Sequence, residues 1–226
     1  MFIPGNKHFI GYLVGLHEQH IDRIISEVVS PGDACLDVGA NIGYFAVKMA
    51  QLAGATGSLY CFEPDTANFE VLKQNVTSAA QRTGCSIIAK KVAVSSRTAT
   101  MELLVGAECT GHQVRSLAAG DKSSNPITAV CLDDELANEK KPVILAKVDV
   151  EGHELDVLRG ASGLLRTQRV RRWVLEVWPG EDAIEIERVL IEAGYNIKVW
   201  LDSGWSGLPL KDLPYRTDLM ATASRE

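Results

Sequence analysis

The sequence predicts an α/β fold with a mostly parallel sheet that helices cover on both faces. Short apolar runs of strand length recur along the chain, and segments with helical periodicity separate them. The strand-like runs cover residues 34–38, 58–62, a third run that ends at 91–94, 127–132, 142–150 and 173–177. The helix-like segments between them are long enough for βαβ crossovers, and such units build parallel sheets.

A helical segment comes before the first strand. Apolar residues repeat at helical spacing within residues 21–28, and the turn-forming residues 30–33 then end the helix. The chain of 226 residues is long enough for one domain and at most a small appendage. We therefore expect an N-terminal helical segment over residues 1–31 and a single domain over residues 32–226.

Residues 106–126 do not fit this alternation of strands and helices. Glycines, serines and a proline punctuate the stretch, which is a poor fit to any regular element. About twenty residues without regular structure are uncommon inside a compact domain, and such loops are usually functional or mobile. We expect residues 106–126 to form a lid over the site.

The composition excludes several other classes of protein. Hydrophobic residues make up 46% and charged residues 23% of the chain, unlike disordered or fibrous sequences. The formal net charge of -6 provides no general attraction to nucleic acid or to an anionic membrane. No apolar run approaches the roughly 20 residues that cross a bilayer, and the N-terminus lacks a signal-peptide pattern. The five scattered cysteines suit a reducing compartment, so we expect a soluble, cytoplasmic protein.

The most informative motif lies where the first strand turns into the next helix. Its residues are Asp37-Val38-Gly39-Ala40-Asn41-Ile42-Gly43. Ligands of open α/β sheets bind at the carboxyl ends of the strands, where glycines let the backbone approach them closely. The glycine spacing is GxxxG and therefore differs from the GxGxxG of dinucleotide-binding proteins. The chain also lacks a P-loop motif.

An acidic residue, Glu63, follows the second strand directly. By analogy with dinucleotide sites, a carboxylate at this position can accept hydrogen bonds from both hydroxyls of a ribose. The glycine turn and Glu63 together predict a cofactor that contains a nucleoside. A nucleotide-dependent oxidoreductase is disfavoured because the GxGxxG spacing is absent.

Three blocks of residues lie in order at predicted strand ends. They are Asp37-Val38-Gly39-Ala40-Asn41-Ile42-Gly43-Tyr44-Phe45, Phe62-Glu63-Pro64-Asp65 and Lys147-Val148-Asp149-Val150-Glu151-Gly152-His153-Glu154. In this order they resemble the hallmark blocks of FkbM-type S-adenosylmethionine-dependent methyltransferases. The resemblance extends from about Gly32 to the final strand.

The resemblance implies a class I methyltransferase fold, which is Rossmann-like. Such a fold has a mostly parallel seven-stranded sheet, helices on both faces and a C-terminal antiparallel hairpin. The extended runs at residues 195–201 and 218–223 are candidates for that hairpin. The resemblance also implies O-methylation of a hydroxyl on a small metabolite, such as a sugar, a polyketide or another natural-product intermediate.

The same resemblance implies which residues hold the cofactor, S-adenosyl-L-methionine, and its product S-adenosyl-L-homocysteine. The residues implied for the methionyl part are Asp37, Gly39, Asn41 and Gly43, the residue for the ribose is Glu63, and those beside the adenine include Ala93 and Ser95.

Catalysis is predicted in the third block. Asp149 and Glu151 flank a single residue, so in an extended strand both side chains point the same way. Methyl transfer needs the acceptor oxygen in line with the methyl group, and a base where that oxygen must lose a proton. His153 has the ordinary pKa of a base near neutral pH, and Asp149 or Glu151 can orient it or the acceptor. The predicted catalytic residues are Asp149, Glu151 and His153.

A divalent metal is a disfavoured alternative. Asp149 and Glu176 end neighbouring strands and can provide two ligands, whereas residues 177–179 add no further carboxylate or amide. Hard cations require six or more oxygen ligands, so we predict no metal site.

The predicted partner is a small hydroxylated acceptor, with no nucleic-acid or membrane partner, and the sequence indicates no oligomeric state. We assign recognition of this acceptor to residues 106–126 and to the N-terminal segment. A rival hypothesis is a subunit that binds S-adenosylmethionine, has lost catalysis and serves in interaction or regulation.

Overall fold

The computed structural model describes residues 2, 18–106, 112–117, 123–202 and 204–224. Within these residues the chain forms one large sheet, one small sheet and helices that pack on the large sheet. The strands are β1 (Ala34–Val38), β2 (Ser58–Phe62), β3 (Ser86–Lys90), β4 (Ala93–Val94), β5 (Ala99–Leu104), β6 (Gln113–Ser116), β7 (Pro126–Val130), β8 (Val143–Val148), β9 (Arg172–Val177), β10 (Tyr195–Leu201), β11 (Gly204–Ser206) and β12 (Thr217–Ala223).

The helices occupy the connections between these strands. They are α1 (Gln19–Val28), α2 (Tyr44–Ala53), α3 (Thr66–Thr83), α4 (Leu132–Glu135), α5 (Glu154–Arg159), α6 (Ser162–Arg166) and α7 (Glu181–Glu192), with 3₁₀ turns at Gly54–Thr56 and Leu210–Asp212. No helix in the described part of the chain is long and apolar enough to span a membrane.

The large sheet is mostly parallel, as predicted. Its strand order is β3-β2-β1-β8-β9-β12-β10-β11, and the pairs from β3 to β9 are all parallel. The strand β12 lies antiparallel between β9 and β10, which confirms the predicted C-terminal hairpin. Among the described residues the sheet has eight strands and not seven, because the short strand β11 adds to its outer edge beside β10.

Two hydrophobic clusters fill the space on the two faces of this sheet. Side chains alternate along a buried strand, so Leu36 of β1 packs with α5 and α7 while Cys35 packs with α1, α2 and α3. Both side chains are fully buried. The layered α/β architecture that the sequence predicts is therefore present.

The helix α1 belongs to the second of these clusters. Ile21, Ile24 and Ile25 are buried on its inner side, together with residues of α2. The spacing of these isoleucines predicted this face correctly. Packing of α1 against the sheet brings the residue before it, Glu18, to the carboxyl ends of the strands.

The small sheet departs from the sequence prediction at two places. The third strand ends at Lys90, and Ala93–Val94 forms a separate strand that pairs in parallel with β7. Residues 113–116, in the stretch predicted to be irregular, form β6 and pair antiparallel with β5. A bend at Lys91 separates β3 from β4, and pairing with β7 and with β5 decides these two outcomes. Residues 107–111 and 118–122 of the predicted lid lie outside the described residues.

Candidate active site

A cavity of about 290 Å³ opens at the carboxyl ends of β1, β2 and β8. The predicted site residues that line it are Asp37, Gly39, Asn41, Glu63, Ala93, Asp149 and Glu151. The predicted site residues that are not among its described lining residues are Gly43, Ser95 and His153. The cavity therefore unites residues from all three sequence blocks, which lie far apart along the chain.

The glycine turn is shaped by two residues with positive φ. Gly39 has φ 75°, and a Cβ built on it would lie 1.8 Å from the carbonyl oxygen of Asp149. Gly43 has φ 87°, and a Cβ there would lie 2.8 Å from Cδ1 of Leu72. Gly39 requires glycine because a side chain would collide with the backbone after β8, whereas at Gly43 the positive φ favours glycine and a side chain would displace Leu72. Gly43 therefore belongs to the turn on the side that packs against α3, and it is not among the described residues that line the cavity.

Glu63 connects the glycine turn to the end of β2. Its two carboxylate oxygens accept hydrogen bonds from the backbone N–H groups of Asn41 and Asp65, both at 2.9 Å. Burial raises the pKa of Glu63 to about 7, and these two hydrogen bonds oppose that rise. A carboxylate held by backbone donors keeps lone pairs that face the cavity, where ribose hydroxyls can donate to them.

A second group of charges lies at the ends of β1 and β8. Lys147 donates to Asp149 at 2.9 Å, and its ammonium lies 5.3 Å from the ring centroid of Phe45. Burial alone would lower the pKa of Lys147, but the carboxylates of Asp149, Asp37 and Glu18 outweigh it and raise that pKa. The ammonium of Lys147 is buried and forms an ion pair with the half-buried carboxylate of Asp149.

Asp37 has an unsatisfied acceptor in this group. Its Oδ1 atom is buried and has no hydrogen-bond partner among the described residues. Burial raises the pKa of Asp37 to about 6, and the charge of Lys147 opposes the rise. A buried acceptor without a partner at the wall of a cavity fits a ligand that carries a donor, such as an ammonium group.

Three carboxylates stand at the other end of the cavity. Asp149, Glu151 and Glu176 each place an oxygen within 4.8 Å of the others. The guanidinium of Arg216 lies 3.2 Å from Glu176 and 3.7 Å from Glu151, and it stacks 5.0 Å from the ring of Trp178. Carboxylates at this separation can hold a cation, and Arg216 provides one here.

The crowding of negative charge changes the acidity of Glu176. Burial and the nearby Asp149 and Glu151 raise its pKa while Arg216 lowers it, and the net result is a pKa of about 8. The indole N–H of Trp178 donates to the same carboxylate at 3.1 Å. This cluster therefore favours the protonated form of Glu176 more than water does.

His153 precedes α5 and contacts the end of the small sheet. Its Nε2 lies 3.0 Å from Oγ of Ser95, and its Nδ1 lies 3.6 Å from Asp156. Burial lowers the pKa of His153, although Asp156 opposes this shift. The structure thus brings two predicted site residues, His153 and Ser95, into contact with each other beside the cavity.

The described lining residues also include two that the sequence did not single out for this site, Glu18 and Arg216, and two from the predicted lid. Glu18 before α1 and Arg216 before β12 come from the two ends of the described chain. His112 and Val114 come from the stretch predicted to be a lid, of which only part is described. No local pattern marks Glu18 or Arg216, because their positions depend on how α1 and β12 pack against the sheet.

Comparisons with solved structures place the fold among class I methyltransferases. Precorrin-6y C5,15-methyltransferase of Geobacter metallireducens aligns with a TM-score of 0.52 at 9% identity, over 92% of this chain and 90% of that one. A SAM-dependent O-methyltransferase of Thermotoga maritima aligns with a TM-score of 0.51 at 12% identity, over 92% and 66% of the two chains. At such low identity these likenesses show the fold alone.

Two relatives share more sequence with this chain. A hexuronic acid methyltransferase, AglP, of Haloferax volcanii is 27% identical over 185 residues, which cover 80% of this chain and 71% of that protein. The methyltransferase sdnD of Sordaria araneosa is 28% identical over 193 residues, which cover 72% and 73% of the two proteins.

The fold and these relatives define an S-adenosylmethionine-dependent methyltransferase. The profile of the methyltransferase FkbM domain matches residues 37–197, more than half of the chain. The chain belongs to this family. The resemblance seen in the three sequence blocks is thereby confirmed.

Proposed function

We propose that this enzyme transfers a methyl group from S-adenosylmethionine to a hydroxyl oxygen of a small metabolite. One observation carries the proposal: the cluster of Asp149, Glu151 and Glu176 lies in the same cavity as the glycine turn and Glu63. Cofactor-holding groups and groups that bind and deprotonate a hydroxyl thus share one enclosed space.

The cofactor part of the proposal assigns three regions of the cavity. The residues proposed around the methionyl part are Asp37, Gly39, Asn41 and Gly43, with Glu63 at the ribose and Ala93 and Ser95 on the adenine side. The unsatisfied Oδ1 of Asp37 supports this assignment, since the methionyl part carries an ammonium donor. When bound, the cofactor supplies a methyl group on a positively charged sulfur.

The acceptor part of the proposal rests on Asp149 and Glu151. The carboxylates of this cluster can accept hydrogen bonds from a hydroxyl, hold its oxygen in line and take up its proton. His153 contacts Ser95 beside the cavity. We therefore assign His153 the role of holding the Ser95 side chain in position. Its role as a base stays a prediction from sequence.

We infer that the acceptor is small and is not a nucleic acid, because the chain carries a net charge of -6 and the cavity is rich in carboxylates. Sugars and their uronic acids are the first acceptors to test, since one relative is a hexuronic acid methyltransferase. His112 and Val114 line the cavity from the proposed lid, residues 106–126, and support its contact with the acceptor.

Methyl transfer to a panel of acceptors tests this function. The panel contains neutral sugars, free and glycosidic hexuronic acids and aliphatic polyols, with a labelled methyl group on the cofactor. An ether product resists mild alkali, whereas a methyl ester on a carboxylate releases methanol. We expect an alkali-stable product, and transfer only to the carboxylate of the hexuronic acids would overturn the proposal.

A pair of variants assigns the acceptor-side chemistry. Asp149→Asn removes a proton acceptor and should lower the rate of transfer by about 10²–10⁴-fold, the usual contribution of a general base. Asp212→Asn is the matched control, because Asp212 is exposed and lies outside the cavity. Equal rates in the two variants would remove Asp149 from the mechanism.

A further inference from the structure

Two described residues of the cavity wall are a lysine or an arginine, Lys147 and Arg216. The side chain of Lys147 is only 7% exposed, and its ammonium forms an ion pair with Asp149 at 2.9 Å. The side chain of Arg216, in contrast, is 49% exposed. Among the lysines and arginines of the described wall, Arg216 is therefore the one that a ligand entering from solvent can reach.

The pairing of β12 with β9 fixes the place of Arg216. The two strands are antiparallel, and Thr217, the first residue of β12, lies opposite Val177, the last residue of β9. Arg216 and Trp178, one residue beyond each of these ends, are therefore cross-strand neighbours. The guanidinium lies 5.0 Å from the ring centroid of Trp178, and this cation–π contact restricts the positions that the side chain adopts.

The ion pairs of Arg216 leave most of its donors available. Its shortest contacts with Glu176 and Glu151 are 3.2 Å and 3.7 Å, both from Nη1, and the guanidinium donates no hydrogen bond to the described residues. An arginine has five N–H donors in a planar fork, and its strong contacts with carboxylates use two nitrogens at once. Arg216 can therefore form such a two-nitrogen contact with an oxyanion of a ligand.

The carboxylates that we propose bind the reacting hydroxyl lie next to this guanidinium. Asp149, Glu151 and Glu176 each place an oxygen within 4.8 Å of the others, and Arg216 forms ion pairs with two of them. A hydroxyl and a carboxylate on one sugar ring can reach two neighbouring groups of this kind. The acidic side chains around Arg216 repel an anion, so a carboxylate at this place depends on the guanidinium.

We propose that Arg216 binds a carboxylate of the acceptor, so that the enzyme selects an acidic sugar over the neutral sugar of the same configuration. The inference rests on the proposed function and deepens it, because it names the class of acceptor and the residue that recognises it. Arg216 is then a specificity-determining residue, whereas the hydroxyl is bound by Asp149 and Glu151.

Matched pairs of acceptors test the inference. Each pair is the methyl glycoside of a hexuronic acid and that of the hexose with the same configuration. Arg216→Gln also changes the surroundings of Glu176, but this effect is common to both acceptors and cancels in the ratio of their kcat/KM values. We expect the unaltered protein to prefer the acid by about tenfold or more. The ratio should fall by roughly 10–100-fold in Arg216→Gln, in line with the loss of a charged hydrogen bond.

Two further variants make the result specific to Arg216. Arg216→Lys keeps the charge without the planar fork and should give an intermediate ratio. Arg188→Gln is the matched control, because Arg188 also pairs with two glutamates, Glu185 and Glu192, and is not among the described lining residues. Its ratio should equal that of the unaltered protein. Circular dichroism and calorimetric binding of S-adenosylhomocysteine show whether each variant is folded, and Arg216→Lys carries the test if Arg216→Gln is not.

The possible outcomes separate this inference from the proposed function. If hydroxyl transfer occurs but the hexose is used as well as its acid, or if the substitutions of Arg216 leave the ratio unchanged, the inference is overturned and the proposed function stands. A preference for a hexose 6-phosphate over the acid would overturn the assignment of a carboxylate. The absence of transfer to a hydroxyl of any acceptor would overturn the proposed function and the inference with it.

Discussion

Gly39 and Asp149 approach each other so closely that a single added carbon would not fit between them. A Cβ on Gly39 would lie 1.8 Å from the Asp149 carbonyl oxygen, and Asp149 N–H donates to the carbonyl of Val38 at 3.0 Å. This contact joins the glycine turn after β1, which we propose holds the cofactor, to the residues after β8 that we propose bind the acceptor. The relative position of the two halves of the site therefore depends on one glycine.

The first prediction tests this contact. Gly39→Ala should unfold the domain at a much lower urea concentration and abolish binding of S-adenosylhomocysteine, because the new methyl group displaces the β8 loop. Gly152→Ala is the matched control, since Gly152 has φ 96° but no atom within 4 Å of a Cβ. Its cost should be about 1–2 kcal/mol from backbone strain alone. Equal urea midpoints for the two variants would contradict the role of the contact.

The second prediction concerns the buried cation. Lys147→Met leaves Asp37 and Asp149 without their positive partner and should lower the free energy of unfolding by about 3–5 kcal/mol. The exposed Lys198 of β10 is the control, and Lys198→Met should change stability little. Chemical denaturation measures both. A Lys147→Met protein as stable as the control would mean that the ion pair adds nothing to folding.

The third prediction concerns the ribose. Glu63→Gln replaces one acceptor oxygen by a donor, so the backbone N–H of Asn41 or Asp65 loses its partner. We expect roughly 10–100-fold weaker binding of S-adenosylhomocysteine and of 5′-methylthioadenosine alike, because both carry the ribose. Glu70→Gln on the exposed side of α3 is the control. Weaker binding of only one ligand would place Glu63 elsewhere.

The fourth prediction is a dependence of stability on pH. The pKa values of Glu18, Asp37, Glu63, Glu154 and Glu176 are raised to between about 6 and about 8, mainly by burial. From about pH 5 to about pH 8 the folded protein binds more protons than the unfolded chain. The free energy of unfolding therefore falls as the pH rises. Melting temperatures of the ligand-free protein should be higher near pH 6 than near pH 8.

One substitution isolates a single group in this profile. Glu154 accepts from the backbone N–H groups of Val150 and Gly152 through Oε1, and glutamine can keep that acceptor. Glu154→Gln should therefore make the fall in melting temperature towards pH 8 less steep. His153 has the opposite effect on stability, because burial lowers its pKa. This effect is confined to pH values below the ordinary pKa of histidine, near 6.5. A melting temperature that rises from pH 6 to pH 8 would contradict the prediction.

The fifth prediction separates two catalytic hypotheses. If His153 mainly supports Ser95, His153→Gln should change the rate of transfer less than tenfold, since glutamine can still bond to the serine hydroxyl. Ser95→Ala should then have a similar effect. A loss of about 10²-fold or more in His153→Gln with normal Ser95→Ala would restore His153 as the general base.

Much of the fold and of the cofactor side could be predicted because their signals are local. The apolar run at residues 34–38 indicates a buried strand, and the glycines after it indicate a turn with positive φ. Glu63 follows β2 at once, so its place at the strand end follows from the parallel sheet. For Glu63, a single strand fixes both its place in the sequence and its place in the fold. Asp149 and Glu151 also lie beyond β8, but the prediction that they continue an extended strand is wrong, because β8 ends at Val148 and Glu151 has a left-handed φ of 55°.

Local sequence patterns predicted the α/β class, the family blocks and the strand ends where most of the predicted site residues lie. The positions of Arg216 and Glu18 at the cavity depend on tertiary packing, because β12 inserts between β9 and β10 and α1 packs on the sheet. Tertiary packing also decided that His153 contacts Ser95, through the small sheet that begins at Ala93. The physical reason is that pairing and packing between distant segments depend on the whole core, whereas turns and buried strands are encoded in neighbouring residues.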